Sequence, residues 1–137
     1  MADNYQATIV KIENLERIEG ADRVQLSNIF GNTVVVSIET KIGDIGLFFP
    51  VETALSEEFR FKNNLNTVPE MNEDQTTKGY FGKHGRVKAQ TFRGKKSCGF
   101  YIPLVSLSYI RPYDNLVTAY DIGYEFQELD AHKICSK

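Results

Sequence analysis

The chain has 137 residues, 42% of them hydrophobic and 25% charged, with a formal net charge of −2. That length and balance fit one soluble domain able to bury a core, and no apolar run approaches the roughly 20 residues of a membrane span. Two cysteines, Cys98 and Cys135, cannot make a disulfide framework, and two histidines with no close spacing to them make no zinc motif. The first residues show no secretory signal, which points to a cytoplasmic protein.

The expected elements are mostly strands. Residues 5–12 (YQATIVKI) have high β propensity and alternate, with both faces partly apolar. Residues 14–22 are a connection broken by Gly20. Residues 24–30 and 33–38 flank Gly31-Asn32, which reads as a tight β-hairpin. Gly43-Asp44 is a further turn, and residues 46–50 (GLFFP) form a short strand stopped by proline. Residues 53–59 (TALSEEF) favour a helix capped by Thr53. Residues 62–78 are polar and aperiodic, so a mobile or loosely packed loop is expected. Residues 86–92 alternate, with Arg86, Lys88 and Phe92 on one face. Arg93-Gly94-Lys95-Lys96 is a basic turn. Residues 98–105 form a last strand with Cys98, Phe100, Ile102 and Leu104 on its apolar face. The final residues, AHKICSK, read as a linker or frayed end. Five or six short strands with one short helix predict an all-β domain, a small antiparallel barrel or sandwich. Cys98 is expected as a buried small hydrophobe and Cys135 as exposed.

Charge is segregated along the chain. Residues 1–74 carry a net −7, residues 75–113 carry eight bases and no acid, and residues 114–137 carry a net −3. The densest part is YFGKHGRVKAQTFRGKK, residues 80–96, where cations and aromatic rings interleave. Single-strand binders combine a cationic groove with rings that stack on bases. Lys83, Arg86, Lys88, Phe92, Arg93, Lys95 and Lys96 are therefore the expected nucleic-acid-binding residues. Arg86, Lys88, Arg93, Lys95 and Lys96 are expected to form one positive surface. Phe92 either stacks on bases or packs in the core. Tyr80 and Phe81 are expected to anchor the long loop. No dinucleotide-binding, phosphate-loop or zinc-protease motif occurs, so no catalytic residue, metal ligand or cofactor is assigned.

The string RVKAQTFRGKKSCGFYIPL, residues 86–104, resembles a hallmark of the Deinococcus-type RNA ligases, R-x-x-T/A-x-x-L/F-R-G-x-x-S-x-G-L/F-x-x-P-L. Arg86, Ala89, Phe92, Arg93, Gly94, Ser97, Gly99, Phe100, Pro103 and Leu104 match it. Residues 18–24 (IEGADRV) and 41–55 (KIGDIGLFFPVETAL) resemble two upstream segments of the same family, in the same order. The resemblance implies an OB-like barrel over residues 1–110 that binds RNA or another nucleic acid. Residues 111–137 are then a C-terminal extension or linker toward a catalytic ligase domain in cis. It also favours a core place for Phe92, because leucine is accepted there. The family's K-x-D-G nucleotidyltransferase motif does not occur, and Cys98 stands where Gln is usual. The implied role is to position a strand for end joining or nick sealing without catalysing it, as part of an ATP-dependent RNA ligase or as a stand-alone module. The tRNA-binding OB module of some aminoacyl-tRNA synthetases is a second, weaker resemblance, through residues 20–24 and 43–44. The alternative from another class is a stand-alone OB-fold protein that binds a protein partner, which the acidic first half favours.

Overall fold

The structure is a computed structural model and describes residues 5–79 and 81–137. In chain order it contains β1 (Ala7–Lys11), β2 (Glu16–Arg17), β3 (Val24–Ile29), β4 (Asn32–Ser37), β5 (Ile45–Phe49) and β6 (Ala54–Leu55). Helix α1 (Glu57–Lys62) follows, then β7 (Gln90–Phe92), β8 (Lys95–Ser97), β9 (Phe100–Pro103) and helix α2 (Tyr113–Ala119). The chain closes with β10 (Glu125–Phe126), β11 (Glu128–Leu129), β12 (His132–Lys133) and β13 (Cys135–Ser136). No helix among the described residues is long and apolar enough to cross a membrane.

Ala7, Thr8, Ile9 and Val10 of β1 are all buried, so this strand needs cover on both faces. It sits inside a four-stranded antiparallel sheet of order β10-β1-β5-β9. Alternation along β5 then divides the core in two. Leu47 and Phe49 face a large cluster with Ile9, Phe59, Phe100, Leu116 and Ile134. Phe48 faces the other way, onto Val10, Ile12, Val34, Val36 and Tyr101. The second cluster is roofed by the three-stranded sheet β2-β3-β4.

The β3–β4 hairpin forms where the sequence places it, but its turn is Phe30-Gly31, one residue earlier than expected. Ile29 pairs with Asn32, and both turn residues have positive φ, 53° and 79°. A two-residue turn of that hand matches the strand twist and suits glycine at its second position. The Phe30 ring meets Phe48 edge-on at 5.8 Å, and Asn28 Oδ1 accepts from the Gly31 N–H, which together hold the turn.

Three other expectations are corrected. The ladders are open, not closed into a barrel, among the described residues. Where β4 approaches β8, the Val35 N–H donates to the Ser97 hydroxyl (3.0 Å), a side-chain oxygen standing where a ladder would use a carbonyl. One backbone bond follows, from the Cys98 N–H to the Thr33 carbonyl (2.8 Å), and the strand breaks at Gly99. There are two α-helices, not one, and the first is capped by Ser56, whose hydroxyl accepts from the Phe59 N–H. Thr53 is instead fully buried.

Residues 62–78 are not loose. Buried Asn66 and Asn72 lock the segment: the Asn66 N–H donates to Asn72 Oδ1 (2.9 Å), and Asn72 Nδ2 donates to the Asn66 and Thr77 carbonyls. Asparagine amides here replace the regular ladders that a periodic sequence would supply.

The last residues are not frayed, and Cys135 is not exposed. Phe126 of β10 pairs with Ala7, Cys135 of β13 pairs with Leu55, and Ile134 and Cys135 are both 0% exposed. Burial pushes the Cys135 thiol up to about 12, so it stays protonated at neutral pH. Cys98, expected buried, is only partly so. A thiol reagent is therefore expected to modify one cysteine quickly in the folded protein and the second only after denaturation. Two fast equivalents would contradict this packing.

Candidate nucleic-acid interface

The opening between the two main sheets forms a groove. Val35, Val36 and Ser37 of β4 line one side, Tyr101, Ile102 and Pro103 of β9 the other, and residues 81–88 a third. Its volume is about 760 Å³. Arg23, Lys83, His84, Arg86 and Lys88 line it, and among the described residues no Asp or Glu does. Gln90 and Phe92 complete the rim.

Packing against residues 52–55 explains how the basic segment is presented. The Leu55 N–H donates to the Gly85 carbonyl, the Val87 N–H to the Thr53 carbonyl and the Glu52 N–H to the Val87 carbonyl, at 2.7–2.9 Å. Val87 is buried by this edge pairing, which leaves Arg86 and Lys88 on the exposed side. Arg86 Nη1 donates to the Glu52 carbonyl (2.8 Å), which fixes its stem at the rim. The expected continuous strand over residues 86–92 is not formed; only Gln90–Phe92 is ladder.

The loop ahead of it is held by Arg60, which is 4% exposed. Its Nε donates to the Leu55 carbonyl (3.1 Å), and its Nη1 to Asn66 Oδ1 (2.9 Å), the Gly82 carbonyl (3.2 Å) and, at longer range, the Lys83 carbonyl. Burial lowers the guanidinium pKa from its ordinary value, and nearby Glu57 opposes that. Gly85 turns with φ 63° directly on this side chain; a Cβ there would lie 2.5 Å from Arg60 Nε. Arg60 thus sets the position of Lys83.

Of the seven expected residues, Lys83, Arg86, Lys88 and Phe92 line the groove. Arg93, Lys95 and Lys96 lie on the adjoining β7–β8 hairpin, exposed and outside the lining. Phe92 pairs with Lys95, so Arg93-Gly94 is the turn, with φ 49° and 79°. Phe92 is 39% exposed and not in the core, because the hairpin is a two-stranded projection whose β7 residues are all exposed. The Arg93 guanidinium lies 5.9 Å from the Phe92 ring. It also sits over Gly20, where a Cβ would come within 3.1 Å of Nη1. Phe81 is buried against Phe100, ring centroids 5.0 Å apart; Tyr80 lies outside the described residues. Sequence reasoning missed Arg23, His84 and Arg60. Arg23 and Arg60 lie outside the basic stretch and reach the site only through tertiary packing.

An antiparallel β domain with a groove beside β4 and β9 fits the OB fold. Residues 6–104 match the model of the PHA02142 OB-fold domain, and the chain belongs to that family. No curated protein sequence matches it. Among solved structures it is similar to variants of the RNA ligase of Naegleria gruberi bound to ATP and manganese. One is 18% identical with a TM-score of 0.59, over 90% of this chain and 33% of the ligase. Another is 20% identical with a TM-score of 0.59, over 86% and 31%. The likeness is one of fold, and the chain spans about a third of the ligase's length.

Proposed function

We propose that this chain is the nucleic-acid-binding module of an RNA ligase-like protein. It holds an RNA strand for end joining or nick sealing that a separate nucleotidyltransferase domain performs. The observation that carries this reading is the groove itself: Arg23, Lys83, Arg86 and Lys88 converge on it without one acid among the described residues, in a chain of net charge −2. Phosphates bind such a surface electrostatically and without sequence preference. Arg93, Lys95 and Lys96 extend the cationic path along the hairpin, and Phe92 offers a ring beside it. The fold shared with a ligase segment and the Deinococcus-type string over residues 86–104 support the setting.

The test is the salt dependence of binding to a single-stranded RNA oligomer. Each phosphate contact to single strands contributes about 0.7 to the slope of log affinity against log salt. Lys83→Ala with Lys88→Ala should therefore reduce the slope by about 1.4 and weaken binding equally across sequences. Lys95→Ala with Lys96→Ala should act in the same direction. An affinity that ignores salt and both double changes would overturn the proposal and favour a protein partner.

A further inference from the structure

Among the described residues, four of the five basic side chains lining the groove are lysine or arginine; the fifth is His84. Imidazole is the side chain whose charge changes between about pH 5 and 8. The backbone of His84 is fixed from behind. Residues 82–85 form a turn closed by the Gly85 N–H on the Gly82 carbonyl (3.0 Å). Arg60 Nη1 donates to that same Gly82 carbonyl, and the Leu55 N–H donates to the Gly85 carbonyl (2.9 Å). Both ends of the turn are thus tied to the core, and Lys83 and His84, its two central residues, are exposed and line the groove. A turn held this way presents its side chains to a ligand with little backbone ordering left to do.

Charge around the imidazole is one-sided. On the groove face stand Arg23, Lys83, Arg86 and Lys88. On the elements packed behind the turn, residues 52–55 and α1, the charged groups are Glu52, Glu57, Glu58, Arg60 and Lys62, and none of them lines the groove. Glu58 is bonded to His132, and Lys62 to Glu73. A phosphate lying across the groove cations is therefore the anion within reach of His84, and it favours the protonated ring.

We infer that His84 is a phosphate contact formed only by its protonated imidazole, so that RNA binding tightens as pH falls from about 8 to about 6. The inference rests on the nucleic-acid-binding reading and adds its regulation by pH. Binding that favours the protonated ring takes up a proton, so affinity rises as protons become more available. Lysine, arginine and phosphodiester groups do not change charge in this range. His132, the other histidine, faces Glu58 outside the groove.

The probe is a uridine decamer, whose bases do not titrate in this window. Its affinity for the wild-type protein, read by fluorescence anisotropy at fixed low salt, should rise at least about threefold from pH 8 to pH 6. The slope of log affinity against log salt should steepen by about 0.7 over the same change. His84→Gln, a change at an exposed position, should remove both effects and leave the affinity at the higher pH close to wild type. His84→Arg should bind tightly at the higher pH and gain nothing on acidification. Wild-type binding that is equally tight at both pH values, or a pH dependence that persists in His84→Gln, overturns the role of His84 and leaves the lysines and arginines as the phosphate site. Failure of the decamer to bind the wild-type protein at either pH overturns both readings.

Discussion

Removing residues 111–137 is expected to unfold the domain, not to trim a tail from it. The segment supplies Leu116, Phe126, Leu129 and Ile134 to the large core, each at most 5% exposed. Burying a side chain of that size stabilises by about 1.5–3 kcal/mol, so four together approach the whole stability of a typical domain, about 5–15 kcal/mol. The loss extends to the backbone. The Ile9 N–H donates to the Tyr124 carbonyl and the Gly123 N–H to the Ile9 carbonyl, so β1 would expose its edge. Leu55 would lose its pairing with Cys135. A chain ending at residue 110 should show no cooperative thermal transition. A fragment that melts cooperatively near the full chain's Tm would make the segment an appendage.

Arg60→Met is expected to be the most damaging single change near the site. Methionine keeps the apolar stem but leaves the Leu55 and Gly82 carbonyls and Asn66 Oδ1 without their donor. Hydrogen bonds to a charged group contribute about 1.5–3 kcal/mol each when broken singly, and these act as one unit, so a total loss of about 3 kcal/mol is expected. For a domain of this size that is a fall in Tm of about 10 °C. Arg60→Lys keeps the charge but not the planar fork and should recover only part of it. RNA binding should weaken in both variants at temperatures where they remain folded, because the Gly82–Lys83 backbone loses its anchor. A Tm within a degree of wild type for Arg60→Met would contradict this.

What was legible in the sequence follows from how local its causes are. β1, the β3–β4 hairpin and β5 are set by alternation and by turn residues within a few positions, and they appear within a residue or two of where those signals fall. The cap of α1 was misread because Thr53 and Ser56 both suit the position; the buried setting of Thr53 decides between them, and that comes from the fold. The loop over residues 62–78 looked unstructured because amides of Asn66 and Asn72 leave no periodic trace. The C-terminal strands are two residues each, too short for alternation to register. At the site, the cations of residues 83–96 stood out as a charge segregation. Arg23 joins them only because the fold brings it and residues 82–88 to the same groove, and the exposure of Phe92 depends on a hairpin that projects from the core.

The most direct test of the account is a backbone amide chemical-shift titration of the full chain with a single-stranded RNA oligomer at low salt. The groove reading predicts the largest shifts in residues 82–88, at Val35 to Ser37 and at Phe92 to Lys96, fading together as salt is raised. Shifts confined to the exposed face of α2 and to residues 120–124, with the groove amides unmoved, would contradict it.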